Sequence, residues 1–381
     1  MKIGVLTSSR ADFGIYIPLL RLLFNDESIQ LEIIAFGTHL SKSHGYTIQE
    51  ILDKGFSVNN KIETLPKEDT PKAISASIGE TIIKFSEFWS KNTFDLVFAL
   101  GDRYEMFAAV VASSTFSTKI AHIAGGETTI GAIDNFYRHG ISTMSKYIFT
   151  STEEYKQRAI RLLDSEKGIF NVGALNIDNL KKEELLSKED FQKKFNIDLK
   201  IPSILITFHP ETVNYSDNKK YIRELISALE VLVDKYQLII TMPNADTQGE
   251  IIRHELELFA SDNKVIKLIE SFGMNGYLTC MKYCSFMLGN TSSGFVEASF
   301  FPKWVINLGD RQEGRINTSN IMSIPVTKEM ILKTVKSIEC QPSLPNDCSI
   351  YGNGNTANEI LNTNELKELL VRQIENRVRW R

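Results

Sequence analysis

The chain has 381 residues, 43% of them hydrophobic, and a formal net charge of −4 at pH 7. That length exceeds what one hydrophobic core usually fills, so two domains are expected, and the lack of any dense basic block argues against a nucleic-acid partner. No run of 18 apolar residues occurs, "MKIGVLTSSR" turns polar too soon for a signal peptide, and four cysteines without doubled CxxC spacing point to a reduced, cytoplasmic protein.

In chain order, the first half offers strands at 2–7, 31–36, 95–100, 118–124, 147–150 and 169–173, separated by amphipathic helical stretches such as "IYIPLLRLLF" and "YEMFAAVVASS". Residues 44–75 are less regular, and "ETLPKEDTPKA" reads as a flexible excursion. The charged segment 178–202 is the best boundary, after which the pattern restarts with strands at 203–210, 237–244, 264–271, 285–290 and 303–309. Continuous apolar strands alternating with helices predict parallel sheets covered on both faces. The expected architecture is α/β: two Rossmann-like domains, 1–175 and 176–365, facing across a cleft. A last helix at 366–381 could pack back on the first domain. Cys280 and Cys284, four apart on one helical face, read as buried packing.

Ligands in open α/β sheets collect beyond the carboxyl ends of the strands, and the notable polar motifs fall there. "LTSSRADFG" places Arg10 at a strand-to-helix turn suited to a phosphate or carboxylate, though an N-cap with a surface charge explains it equally. "LGDRYEMF" places Asp102 and Arg103 at a strand end, where burial without a partner would be costly. "HIAGGETTIGAIDNFYRHG" crowds His122, Glu127, Asp134, Arg138 and His139 into one loop and helix start. "TFHPET" adds His209, and "LGDRQEGR" adds Asp310, Arg311 and Arg315. "GNTSSGFVEASF" predicts a helix opened by Thr291, Ser292, Ser293 and Gly294, whose hydroxyls and N–H groups suit a diphosphate, with Glu297 better used on a ribose diol. GxGxxG, GxxxxGK[ST] and GxSxG are absent, which lowers the odds for a nicotinamide enzyme, a P-loop kinase or a serine hydrolase. A zinc site from His122, Asp102 and Glu127 is weakly supported. No cofactor and no metal are expected.

In order along the chain, "SRADFG", "GDRYEMFAA", "GGETTIGAIDNFYRH", "MSKYIFTSTEEYKQRA", "FHPET", "GNTSSGFVE" and "NLGDRQEGR" resemble the UDP-N-acetylglucosamine 2-epimerases. The closer likeness is to their hydrolysing bacterial branch, which feeds sialic acid synthesis. The resemblance spans residues 1 to about 370. It implies a glycosyltransferase-B-like fold, UDP bound mainly by the second domain, and a homodimer or homotetramer. It places Arg10 and Arg103 toward phosphates or sugar, Ser292, Ser293 and Gly294 on the diphosphate, Glu297 on the ribose and Arg311 on the nucleotide. Asp102, Glu127, Asp134 and His209 match positions associated with chemistry.

The reaction implied is UDP-N-acetylglucosamine plus water giving UDP and N-acetylmannosamine, through a 2-acetamidoglucal. Acids crowded around one sugar push one another's pKa values apart, so that one can hold a proton while another accepts it. The same chemistry on UDP-2,4-diacetamido-2,4,6-trideoxyglucose, on the legionaminic acid route, is the nearest alternative. A UDP-sugar glycosyltransferase and a non-catalytic nucleotide-sugar binder are the rivals from other classes.

Overall fold

The computed structural model describes residues 1–41, 46–64, 70–128, 130, 133–182, 184–211, 217–243, 249–261, 263, 265–301, 303–341 and 349–368. The chain divides into two compact units. One comprises residues 1–127, 133–179 and the chain from Gly352 onward, and the other residues 128–132 and 180–351.

The first unit is built on seven strands: β1 (Lys2–Thr7), β2 (Gln30–Phe36), β3 (Val58–Ile62), β4 (Leu96–Leu100), β5 (Ile120–Ile123), β6 (Tyr147–Thr150) and β7 (Ile169–Asn171). They form one parallel sheet in the order β3-β2-β1-β4-β5-β6-β7. Successive residues of a strand point to opposite faces, and both faces here are covered. Val5, Leu96 and Phe98 enter one apolar cluster with Tyr16, Leu19 and Leu23 of α1 (Arg10–Asn25). Leu6, Val97 and Ala99 enter the cluster on the other side, with Phe85 and Trp89 of α3 (Pro71–Lys91) and Met106 of α4 (Tyr104–Ser114). This is why β1 and β4 read as unbroken apolar runs. β3, "VNNKI", does not: it is an edge strand whose burial alternates, and it falls in the stretch expected to be irregular. α2 (Ile48–Asp53) precedes it. Residues 65–69 of the expected excursion lie outside the described residues.

The second unit repeats the solution with six parallel strands: β8 (Ser203–Thr207), β9 (Gln237–Thr241), β10 (Ile266–Ile269), β11 (Phe286–Gly289), β12 (Val305–Leu308) and β13 (Ile321–Ile324), ordered β10-β9-β8-β11-β12-β13. Ile204 and Ile206 face one cluster, Leu205 and Met287 the other. Cys280 and Cys284, in and at the end of α11 (Gly273–Tyr283), are buried in the latter. β13 has no counterpart among the strands expected from sequence.

The chain moves from the expected limits in two places. After Tyr351 it returns to the first unit, where both Asp178 carboxylate oxygens accept the first N–H groups of α14 (Thr356–Asn362), from Thr356 at 2.8 Å and Ala357 at 2.7 Å. An acidic side chain on free helix N–H groups is a favourable cap, and Ala357, Ile360 and Leu366 then enter the core. Of the expected helix 366–381, residues 369–381 lie outside the described residues. The second is that residues 128–132 group with the second unit, where the Ile130 N–H donates to Glu313 O at 2.7 Å.

Each sheet reverses its order once, between β1 and β4 and between β8 and β11. Such switch points open a crevice at the carboxyl ends of the strands. At the second, Gly289 adopts φ +144°, and a Cβ there would lie 1.9 Å from the Thr207 carbonyl oxygen. Gly289→Ala is therefore expected to cost about 3 kcal/mol or more, since both the backbone angle and the β8–β11 spacing must give way. The midpoint of urea unfolding checks it.

Candidate functional site

At the switch point of the first unit, β1 runs into Ser8–Ser9 and β4 into Gly101–Asp102. Ser9 caps α1 by accepting the Asp12 N–H at 3.3 Å, while Asp12 Oδ2 accepts the Ser8 N–H and hydroxyl at 2.9 and 2.7 Å. The turn is thus closed on itself, and the buried Asp12 is consumed in holding it. Arg10 points outward, 71% exposed and 3.8 Å from Glu50.

The loop after β5 is tied more tightly. Gly126 sits at φ +74°, and a Cβ on it would lie 2.2 Å from the Tyr155 carbonyl, so only glycine lets the chain press against the start of α6 (Glu153–Leu163). The next residue is Glu127. Its Oε1 accepts the Ser151 hydroxyl at 2.9 Å, and its Oε2 accepts Nη1 of Arg138 at 3.0 Å. Nη2 of the same guanidinium donates to Asp102 Oδ2. Arg138, on α5 (Asp134–Thr143), is only 4% exposed, and its Nε–H has no hydrogen-bond partner among the described residues. Burial works against its charge, but Asp102 and Glu127 outweigh that and push its pKa up. Two carboxylates from different loops therefore meet on one buried cation.

His122 braces this arrangement from below. Its Nε2–H donates to the Gly101 carbonyl at 2.8 Å, which leaves Nδ1 to accept the Ser142 hydroxyl at 2.9 Å. Burial, aided by the nearby Arg138 charge, pushes its pKa down to about 4 against the opposing Gly101 bond. The imidazole is neutral and structural. His122, Asp102 and Glu127, considered from sequence as zinc ligands, are already engaged, and among the described residues no group of three or more His, Cys, Asp or Glu could hold a metal ion.

The other acidic and basic groups expected in this unit are spread out. Asp134 is the exposed first residue of α5, four before Arg138 and so on the same helical face. Arg103 is turned into its own loop, where Nε and Nη2 donate to Oε1 of the fully buried Glu105 at 3.1 and 2.7 Å, with the arginine side chain 42% exposed. A residue expected to reach a ligand is thus held by a carboxylate two positions on. His39, not singled out from sequence, is also fully buried, between the hydroxyls of Thr7 (3.0 Å) and Thr47 (2.8 Å).

In the second unit, three strand ends converge. The His209 N–H donates to Asn290 Oδ1 at 2.7 Å, and Asn290 Nδ2 donates back to His209 O at 2.8 Å. The Asn290 carbonyl accepts Nη1 of Arg311 at 3.3 Å and Nε2 of Gln312 at 2.9 Å. Glu211 Oε1 accepts the Arg311 N–H at 3.2 Å. Burial pushes the Glu211 pKa up, partly offset by that bond.

The serine motif differs from expectation. Ser292–Gly294 form a single 3-10 turn capped by Thr291, and the α-helix that follows, α12, runs only from Glu297 to Phe300. A one-turn helix carries little dipole, so any anion affinity rests on local hydroxyl and N–H donors. Thr291 Oγ1 lies 3.1 Å from Ser293 Oγ, which lies 2.6 Å from the Tyr277 hydroxyl. Burial pushes the Tyr277 pKa up to about 12, so it stays a neutral phenol that fixes Ser293. Ser292 is exposed, and Glu297, the first residue of α12, is half-buried.

Two doubly wound parallel units, each with polar turns gathered at the switch point of its sheet, define a glycosyltransferase-B-like protein. A family model described as UDP-N-acetylglucosamine 2-epimerase matches residues 22–365. The polysialic acid biosynthesis protein P7 of Escherichia coli is 35% identical, the match covering 88% of this chain and 85% of that one. The GDP/UDP-N,N'-diacetylbacillosamine 2-epimerase (hydrolyzing) of Campylobacter jejuni is 37% identical over 84% and 83%. Among solved structures, UDP-GlcNAc 2-epimerase from Neisseria meningitidis bound to UDP-GlcNAc superposes with a TM-score of 0.78 at 18% identity, covering 95% of this chain and 98% of that one, a likeness of fold. The chain belongs to the UDP-N-acetylglucosamine 2-epimerase family.

Two measurements test the first-unit cluster. Arg138→Met strips the shared cation from two partly buried carboxylates and is expected to cost about 3 kcal/mol. Adding Glu127→Gln should recover part of that loss in a double-mutant cycle followed by urea unfolding. His122 supplies a pH signature. Its folded pKa, about 4, lies below the ordinary 6.5, so the unfolded chain binds the extra proton. Its contribution, about 3 kcal/mol in order of magnitude, is full above pH 6.5 and lost as pH falls toward 4. His39, pushed down to about 4 chiefly by burial, adds in the same direction. In His122→Gln the slope of stability against pH in that window should be shallower than in the wild type.

Proposed function

We propose that the protein is a hydrolysing 2-epimerase, taking UDP-N-acetylglucosamine and water to UDP and N-acetylmannosamine. The observation that carries the reading is the cluster Asp102–Arg138–Glu127: two carboxylates oriented by one buried cation at a strand-end crevice. A chain that only bound a nucleotide sugar has no use for them, and burying that many charges is costly without a task. The name of the Campylobacter relative supports the hydrolysing outcome.

The C2–H of an acetamido sugar is too weak an acid for a base acting alone. Departure of UDP must lead: the C1–O bond breaks with its electron pair going to the diphosphate, and C1 gains oxocarbenium character that acidifies C2–H. A carboxylate takes that proton and C1=C2 forms. Water then adds through oxygen to C1, while a proton returns to C2 from the opposite face. In this reading Asp102 or Asp134 moves the C2 proton, Glu127 assists C1 and the water, and His209 orients a hydroxyl or protonates a leaving oxygen. Ser292, Ser293 and the Gly294 N–H stabilise the departing diphosphate, Glu297 takes the ribose hydroxyls and Arg311 the nucleotide. Arg103, braced by Glu105, and Arg10 supply positive potential toward phosphates or sugar. General acid–base groups contribute roughly 10²–10⁴-fold, so fixed donors on the leaving group carry much of the remainder.

A second substrate, UDP-2,4-diacetamido-2,4,6-trideoxyglucose, is favoured by one observation, the 37% identity to a relative named for diacetylbacillosamine. The chemistry at C1 and C2 is the same for both sugars.

Incubating the protein with each UDP-sugar in deuterated water and following the products by NMR tests the reading. The expected products are UDP and a free 2-epimer carrying deuterium at C2. A protein that leaves both sugars intact, or releases UDP without label at C2, is not this enzyme. Asp102→Asn and Glu127→Gln should each lower turnover by roughly 10²–10⁴-fold while UDP still binds.

A further inference from the structure

Asn290 is fully buried in the second unit, and its polar groups are divided between the turns after β8 and β12. Its backbone N–H donates to the Thr207 carbonyl at 3.1 Å, at the end of β8. Its side-chain amide closes a two-way clasp on the His209 backbone, at 2.7 and 2.8 Å. Its backbone carbonyl takes Arg311 Nη1 at 3.3 Å and the buried Gln312 Nε2 at 2.9 Å, from the turn after β12. The next residue along the chain, Thr291, caps the serine turn. The Asn290 side chain thus holds the turn after β8, 81 residues away in sequence, while its backbone carbonyl anchors the turn after β12 and its main chain runs on into the serine turn.

We propose that Asn290 is a positioning residue of the second unit: its side chain fixes the His209 backbone against its own main chain, whose carbonyl holds Arg311 and Gln312 and which continues into the Thr291–Ser293 turn. The inference rests on the function proposed above and adds a residue that does not itself touch substrate. A carboxamide suits the post for two reasons. It offers one donor and one acceptor side by side, the complement of the N–H and C=O of a single residue. It is also neutral, so it holds a site for an anion without adding negative charge. An aspartate of the same shape keeps the acceptor for the His209 N–H but turns a carboxylate oxygen toward the His209 carbonyl. An alanine leaves both backbone groups without their partner, a loss that is costly for buried polar groups.

The test compares Asn290→Asp and Asn290→Ala with Asn320→Asp in the full chain. Asn320 is equally buried in the same unit, its side chain bonded to Thr318 and to the Lys303 carbonyl, and among the described residues it makes no hydrogen bond to the three turns. Melting temperature, kcat, KM and the Kd of UDP alone are measured for each. The expected result is that both Asn290 variants lose kcat by at least about tenfold and weaken UDP at least about tenfold, the size of effect that losing the buried His209 clasp carries when the turns beside it shift with it. Asn320→Asp should lower the melting temperature while keeping kcat and Kd within about twofold, the behaviour of a stability-only change. If folded Asn290→Asp and Asn290→Ala keep wild-type kcat and UDP affinity, the residue is merely structural and the proposal fails. If all three variants lose kcat and affinity in proportion to melting temperature, it also fails. A wild-type chain inert toward both UDP-sugars would sink the proposed function instead, while the UDP affinities would still report on the clasp.

Discussion

The first unit depends on one buried cation. Arg138 lies on a helix that begins in the loop after β5, and it reaches back to a carboxylate at the end of β4 and to another beside its own helix. Without it, two acidic loops would repel each other at a low-dielectric strand end. With it, they are neighbours in a fixed geometry. A guanidinium fits this role better than an ammonium because its planar fork offers separate N–H donors to two acceptors at once. Everything around it serves the placement. Gly126 lets Glu127 come close to α6, Ser151 occupies the second oxygen of Glu127, and neutral His122 fixes the Gly101 carbonyl just before Asp102.

Much of this framework is legible from sequence. β1 and β6 are read to the residue, because both faces of a central parallel strand are apolar and the run has clear ends. β3 and β13 escape the same reading. "VNNKI" has one covered face and one strand neighbour, and its polar residues look like loop. "IMSI" is four residues long and follows an irregular segment. The polar motifs are also legible, since they fall at strand ends. What spacing cannot give is who meets whom. Arg138 sits inside the crowded stretch after β5, but its bond to Asp102, 36 residues away, exists only because β4 and β5 are adjacent in the sheet.

Two motifs show the same limit in the opposite direction. Arg103 reads as a ligand group, yet the nearest acceptor is Glu105 in its own helix start, a local pairing that the cleft-oriented reading passed over. The serine motif reads as the start of a full helix. Instead Phe295 and Ala298 turn into the core beneath β11 and β12, and the helix ends after Phe300. Small polar residues at a strand end announce a turn, but the burial of the residues after it decides how long the helix can be.

The two units solve the problem of holding a polar turn in opposite electrostatic styles, and the proposed chemistry explains the contrast. Groups that must exchange protons with a sugar need to be charged, close and fixed. An ion cluster with a shared arginine achieves that. Groups proposed to cradle a departing diphosphate are held by neutral partners: a phenol and hydroxyls, Tyr277, Thr291 and Ser293, in the serine turn, and the Asn290 amide on the adjoining His209 turn. Glu211, buried nearby, accepts the Arg311 backbone N–H, and burial pushes its pKa up. On the proposed reading, charged groups sit where hydrogen would move and mostly neutral donors where phosphate would leave.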